Sequence, residues 1–259
     1  MNCFKIIFLV ACLFLAPQIQ IQAKTYAVIV GVSTYKDPSA NLRFAATDAL
    51  KFHNLLTNGK QNPDIVLLLD EKATLSNIRK AIREKYGQAK ATDHIIFFFS
   101  GHGTDGYFCQ YDAGGSYENF LSHEDIQNAF KNSKAGVKLC IADACHAGSI
   151  RNNSISKKTT NFFKEYSDKS TSKKDNIIVF MSSRGSQYSQ ENTKLAQGVF
   201  TYYLIESFQG KADTNKDKKV TAKEMYSYVR NNVAKETGKM QVPVMFGKFS
   251  ENTVIVSYK

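Results

Sequence analysis

Four short apolar runs, each separated from the next by a stretch of helical periodicity, constrain this chain more than anything else in it. The runs are Thr25–Gly31, Asp64–Asp70, Ile95–Phe99 and Val137–Cys145. Their Val, Ile, Leu and Phe fall on consecutive rather than alternating positions, the pattern of strands buried on both faces. Between the first two runs, Leu42, Ala45, Ala46, Leu50, Phe52, Leu55 and Leu56 recur at helical spacing, with Asp48 near the start of that helix. Thr74 is an N-cap candidate for a second helix reaching Arg83, and Ser122 followed three residues later by Asp125 outlines the capping box of a third. This βαβαβαβ alternation predicts a three-layer α/β fold, a mainly parallel sheet with helices on both faces. In such sheets, chemistry gathers outside the carboxyl ends of the strands.

Beyond the fourth run, residues 151–175 change in kind. Arg151 and Lys157, Lys158, Lys164, Lys169, Lys173 and Lys174 stand among Ser, Thr and Asn, with few bulky groups, which predicts a long exposed loop. Asn176–Met181 resumes the sheet as a fifth strand. Leu195–Phe208 and Val220–Ala234 read as further helices, and Thr253–Ser257 as a last strand at an edge, for about six strands in all. Gly103–Gly115 reads as loop or hairpin.

Ahead of these elements, Lys5 is followed by an almost wholly apolar stretch, Ile6–Pro17, and then by polar residues to Gln22. The pattern is that of a secretory signal peptide over residues 1–23, too short for a comfortable membrane span. The expected cut follows Ala23 and leaves an exported chain, periplasmic or secreted, with no stable membrane span. A rival reading takes Leu9-Val-Ala-Cys12 as a lipoprotein cleavage box; the apolar run continuing through Ala16 argues against anchoring at Cys12. The cut would leave Cys109, Cys140 and Cys145, an odd set that is no disulfide framework. The formal net charge of +11 invites a nucleic-acid reading, but much of it lies in 151–175 without interleaved aromatics, so nucleic acid is not an expected partner.

The chemistry-bearing residues sit where two apolar runs stop. One ends in Ser100-Gly-His-Gly103 and the other in Asp143-Ala-Cys-His-Ala-Gly148. If both strands are parallel in one sheet, their carboxyl ends share an edge and His102 comes beside Cys145. A thiol at a strand end facing the N-terminus of the next helix meets backbone N–H dipoles that favour thiolate. Peptide hydrolysis by a thiol needs that nucleophile, a proton carrier for the leaving amine, and donors for the oxyanion. The bland alternative is a buried cysteine and a loop histidine that never meet. His146 is a poorer partner, since adjacent side chains point apart. Cys140, inside its run, reads as a small core hydrophobe, and Cys109 has no evident partner.

The pair Ser100–Gly103 and Asp143–Gly148, with the histidine first, resembles the catalytic motifs of the caspase-like cysteine peptidases, in particular metacaspases and their bacterial relatives. Tyr26–Gly31, Asp48-Ala49 and Gln197–Tyr203 extend the resemblance over nearly all of residues 24–259. It implies a caspase-like sandwich and a cysteine endopeptidase with His102 as general acid/base and Cys145 as nucleophile. The oxyanion donors would be the backbone N–H groups of Gly103 and Cys145. It also implies that Asp48 and Asp143 form an acidic pocket for Arg or Lys in protein or peptide substrates, and that Ser182 and Ser183 line the substrate cleft. Ala45 and Thr47 depart from the Cys and Asn usual just ahead of the first acid. The loop 151–175 falls where relatives are often cut between subunits, so its basic residues are expected self-cleavage sites; an uncut tether is the alternative. A catalytically silent caspase-fold binding module is the rival for the whole chain.

One further motif has a ligand spacing of its own. Asp213, Asn215, Asp217, Thr221 and Glu224, with the Lys219 carbonyl, occupy the oxygen-ligand positions of an EF-hand calcium loop. Lys218 stands where glycine normally permits the sharp turn. Two readings stay open, a loop that binds Ca2+ and one that keeps the shape without the ion. The chemistry at Cys145 itself requires no cofactor.

Overall fold

The computed structural model describes residues 23–59, 63–104, 106–145, 176–183 and 189–258. The expected signal peptide, residues 1–23, lies outside the described residues save for Ala23, as do Cys12, His146 and residues 151–175, the expected exposed loop. The elements in chain order begin with β1 (Thr25–Gly31), α1 (Ala45–Asn58), β2 (Asp64–Leu69) and α2 (Leu75–Tyr86). Next come β3 (His94–Thr104), β4 (Tyr107–Phe108), β5 (Leu121–Ser122), α3 (His123–Asn132) and β6 (Val137–Cys145). The chain continues with β7 (Ile177–Met181), β8 (Glu191–Asn192), β9 (Gln197–Gly198) and α4 (Val199–Glu206). It closes with β10 (Lys219–Thr221), α5 (Ala222–Glu236), β11 (Val244–Lys248) and β12 (Val254–Ser257).

The main sheet runs β11-β7-β6-β3-β1-β2. β7, β6, β3, β1 and β2 are parallel, and β11 joins β7 antiparallel at the edge. The expected mostly parallel sandwich of about six strands is therefore the fold. Alternation along each strand divides the interior in two. Val28, Val30, Phe97, Phe99, Cys140 and Ala142 pack toward Ile78 and Ile82 of α2 and Ile126 and Phe130 of α3. On the other face Ala27, Ile29, Ile96, Phe98, Leu139 and Ile141 pack with Phe52 of α1, Phe200 and Leu204 of α4, and Met225 and Val229 of α5. The central strands are covered on both sides, which is why their apolar residues run consecutively.

Two details place the carboxyl edge. Gly31 ends β1 so close to α1 that a Cβ there would lie 2.5 Å from the Ala49 side chain and 2.7 Å from the Ala45 carbonyl. That approach sets the first turn of α1, with Asp48, against the strand ends. On the far side of β3, the Thr74 and Ser122 hydroxyls cap α2 and α3, and the Ser122–Asp125 capping box is complete.

The C-terminal third corrects several expected boundaries. The last strand does not edge the main sheet; β12 pairs antiparallel with β10 in a separate ribbon, bulged between Val220 and Thr221. The edge is β11, where Pro243 and Gly247 interrupt the apolar pattern that would have revealed it. Val220 belongs to β10, because α5 begins only at Ala222, after Thr221, the N-cap of the Thr221–Glu224 capping box. α4 begins at Val199 rather than Leu195, since Ala196 at φ 48° turns the chain back through β8 and β9 first. Among the described residues, no helix is long and apolar enough to cross a membrane.

Candidate active site

The register of β3 against β6 runs from His94↔Val137 to His102↔Cys145. The two motif residues therefore stand opposite each other at the carboxyl edge, as the strand ends predicted. His102 is half-buried, reachable from solvent. Its ring is held from the β1–α1 connection: Nε2 lies 2.8 Å from the Ala40 carbonyl oxygen. A carbonyl only accepts, so Nε2 carries the proton in the neutral ring and Nδ1 is left as the acceptor. The backbone N–H of His102 donates to the Tyr35 hydroxyl at 2.7 Å, and the two rings lie 5.1 Å apart.

Backbone direction at the neighbouring glycine follows from the ladder. The carbonyls of Ser100 and His102 accept from Val32 and Cys109, so both point to the β1 side of β3. Gly103 pairs with Phe108 next to that bonded position, which by antiparallel alternation makes it a non-hydrogen-bonded pair. Its N–H is turned away from β4, to the side on which β6 runs.

The remaining described thiols do not compete for the role of nucleophile. Burial pushes Cys109 and Cys140 each up to about 12, so both stay protonated at neutral pH. Among the histidines, His94 sits at the amino end of β3, eight residues and on the order of 26 Å from His102.

Beside this edge lies a pair of buried acids. Asp48 and Asp143 are 2% and 5% exposed. Gly198, at the entry to α4, lies between them: a Cβ there would be 2.6 Å from Asp143 Oδ2 and 2.8 Å from Asp48 Oδ2. The Gly198 N–H donates to Asp48 at 3.0 and 3.2 Å, and the Ser100 hydroxyl adds a bond at 3.3 Å. Asp143 accepts from Thr201, at 2.7 Å from the hydroxyl and 3.2 Å from the backbone N–H. Burial first, and then the neighbouring Asp143, hold the Asp48 carboxyl well above the usual carboxylate range. Burial also raises Asp143, against the opposing bonds from Thr201, Ser189 and Ser182. Among the described residues, no cationic side chain is a cause acting on either acid. What this arrangement can accept is a positive charge.

Ser182 and Ser183 are both buried, at 0% and 1% exposure. Ser182 is joined to Ser189, and its backbone carbonyl accepts from Gln241 at 3.0 Å. Its contact with the site is through Asp143.

The 213–224 loop has the outline expected of it, with its donors turned inward. Lys218 takes φ 64°, the left-handed conformation that glycine usually supplies. Asp213 Oδ2 accepts from the Lys218 N–H and the Tyr258 hydroxyl, at 2.9 and 2.7 Å. Asn215 and Asp217 each accept a backbone N–H two residues on. Both Glu224 oxygens are engaged, one by Thr214 and the other by the Thr221 cap. Lys219 and Thr221 pair with β12. Among the described residues, no three or more His, Cys, Asp or Glu side chains converge as a metal site, and in this arrangement the loop's acceptor oxygens are engaged by its own backbone and side-chain donors.

The sequence had no means of singling out Tyr35 or Ala40, which act through a hydroxyl and a carbonyl in an irregular loop. Gly198 and Thr201 were inside the Gln197–Tyr203 stretch, but only the fold shows them at the acids.

Comparison with known proteins identifies the family and the fold. The family described as "Caspase domain" matches residues 24–253. Metacaspase-1 of Arabidopsis thaliana is 31% identical over an alignment covering 48% of this chain and 39% of that protein. Metacaspase-3 of the same plant is 29% identical, covering 49% and 41%, and Metacaspase-1 of Lodderomyces elongisporus is 28% identical, covering 48% and 33%. The chain thus spans less than half the length of these curated relatives. Among solved structures, protein GSU0716 from Geobacter sulfurreducens superposes with a TM-score of 0.60 at 18% identity, covering 86% of this chain and 92% of that one. That likeness is one of fold.

Proposed function

The chain belongs to the caspase-domain family, and on that premise we propose that it is a cysteine endopeptidase cleaving peptide bonds after Arg or Lys. The observation that carries the reading is the parallel register setting His102 opposite Cys145, with His102 Nε2 tied to the Ala40 carbonyl and Nδ1 left to move a proton. His102 Nδ1 takes the proton of the Cys145 thiol; the thiolate attacks the scissile carbonyl carbon, and the C–S bond forms as the oxyanion develops toward the N–H groups of Gly103 and Cys145. His102 then delivers a proton to the leaving amine as the C–N bond breaks. In the second half, His102 takes a proton from water, hydroxide displaces the thiolate from the thioester, and the carboxylic product leaves. The Asp48–Asp143 pair supports the choice of a basic residue before the bond, since a guanidinium or ammonium supplies the charge that two buried acids lack.

Hydrolysis of fluorogenic peptides ending in Arg, Lys or Asp tests the reading, with Cys145→Ala and His102→Ala as controls. Turnover of the basic peptides, lost in both variants, is expected. No turnover of any peptide by the wild type would sink it in favour of a silent binding module. Export with cleavage after Ala23, and self-cleavage within 151–175, belong to the same proposal. Mass spectrometry of wild type beside Cys145→Ala checks the latter: fragments identical in both would rule out self-processing.

A further inference from the structure

The connection between β1 and α1 touches His102 at two points, and the chain is pinned to make both. Ser33 and Thr34 donate their N–H groups to Asp70 Oδ1, each at 2.8 Å. The Leu42 N–H returns to the Ser33 carbonyl at 2.8 Å, closing the loop at its base. Inside it, Asp37 caps the turn Pro38–Ala40, and the Asn41 side chain accepts the Tyr35 N–H at 2.8 Å. Asn41 thus ties together the two segments that meet the histidine, Tyr35 at its backbone N–H and Ala40 at its ring. Tyr35 is itself buried at 8% exposure, with its ring against that of His102.

These contacts act on different freedoms of one residue. The Tyr35 hydroxyl occupies the N–H that an ordinary strand residue would give to a neighbouring strand, at the point where β1 has ended and β4 takes over. It fixes the backbone of His102. The Ala40 carbonyl fixes the ring about its side-chain torsions. A base held by only one of these would be free to tilt or to slide. A misplacement of about 1 Å at the reacting atoms can cost 10²-fold in rate.

We propose that Tyr35 is a positioning residue for His102, and that Asn41 sets Tyr35 and Ala40 in register to hold it. Neither residue touches substrate; both act through His102. The proposal rests on the reading of His102 as the proton carrier, so its test needs a readout of the thiol apart from turnover.

Alkylation of Cys145 by iodoacetamide as a function of pH supplies that readout, with Cys109 and Cys140 changed to Ser throughout, beside steady-state hydrolysis of an Arg-ended peptide. Tyr35→Phe keeps the ring and removes the acceptor. It is expected to lower kcat by about 10- to 100-fold, to leave KM within about threefold, and to displace the acid limb of the alkylation profile. Asn41 is exposed, so its substitution leaves the core intact should Tyr35→Phe fail to fold. Asn41→Ala is expected to lower kcat by about 3- to 10-fold, and Asn41→Asp, which keeps the side-chain acceptor, to restore it. Wild-type kcat and an unmoved alkylation profile in both Tyr35→Phe and Asn41→Ala would overturn the proposal. If His102→Ala also left the profile unmoved, the His102–Cys145 reading itself would fall.

Discussion

Asp48 and Asp143 at the carboxyl edge of the sheet, and Asp213, Asp217 and Glu224 in the 213–224 loop that runs into the first turn of α5, are two acidic clusters with opposite physics. The first pair is buried, mutually repelling, and raised above the ordinary carboxylate range. The second set lies on the surface among backbone N–H donors. The Tyr258 hydroxyl and neighbouring N–H groups lower Asp213, and at Glu224 bonds from Thr221 and Thr214 outweigh the upward push of partial burial. The family resemblance implies that the first receives a cationic side chain, and calcium is one of the two readings that the spacing of the second leaves open. What separates them is how much positive partner each already has. Burial without a counter-charge leaves a demand for one; a loop whose carboxylates already accept several of its own N–H groups has largely met its own.

The largest effect should come from removing that demand. Replacing either buried acid, as Asp48→Asn or Asp143→Asn, is expected to lower kcat/KM on Arg-ended peptides by about 10²- to 10³-fold, the range for leaving a buried charge without its partner. The same substitutions should hold or raise Tm at neutral pH, because they relieve a like-charge contact. Equal turnover in wild type and variants would break the comparison.

A pH series checks the sign. A folded-state pKa raised above the unfolded value of about 3.8 means the native state keeps its proton longer. The stability tied to that proton is fully present below the unfolded pKa and is lost as pH rises through the folded one. The Tm of the ligand-free wild type should therefore fall, relative to Asp48→Asn, as pH climbs out of the ordinary carboxylate range. KM for a basic peptide should fall over the same interval, since only the ionised pair attracts a cation. Parallel Tm curves would show that the pair carries no strain.

The floor of the pair comes next. Gly198→Ala puts a methyl less than 3 Å from both carboxylates, so one acid must move; selectivity for Arg over Asp peptides is expected to drop by tens of fold. Thr201→Val removes the hydroxyl bond to Asp143 while keeping shape. A hydrogen bond to a charged group contributes about 1.5–3 kcal/mol, which predicts roughly a tenfold or somewhat larger rise in KM. Thr201→Ser should restore it. A KM unchanged in Thr201→Val would mean the backbone N–H alone orients the acid.

How much of this was legible depends on whether a residue speaks through its side-chain type or through its place in the backbone. The four parallel strands and the three helices between them could be read because buried parallel strands need unbroken apolar runs, and the His102–Cys145 register followed from where two of those runs stop. Asp48 and Asp143 came from the family resemblance, and the fold brings both to Gly198. Ala40 was illegible because any residue could offer its carbonyl. β11 was missed because an edge strand beginning after Pro243 and carrying Gly247 lacks the period that marks a strand, and β12 was misplaced because its partner β10 is only three residues long.

The smallest effect is expected at the other cluster, and it is the sharper half of the comparison for that reason. Calcium would have to draw Glu224 off the cap of α5 and Asp213 off Tyr258, beside Lys216, Lys218 and Lys219, so each ligand gained costs a bond already made. An ion bound with a dissociation constant near 10⁻⁴ M would, at 1 mM, stabilise by about 1.4 kcal/mol and raise Tm by several degrees in a domain of this size. The expected shift at 1 mM calcium is about 1 °C or less, with peptide hydrolysis changed by less than about twofold. A rise of several degrees that disappears with chelator and in Glu224→Gln would show that the loop trades its own hydrogen bonds for the ion. The difference between the two acidic clusters would then be one of exposure alone.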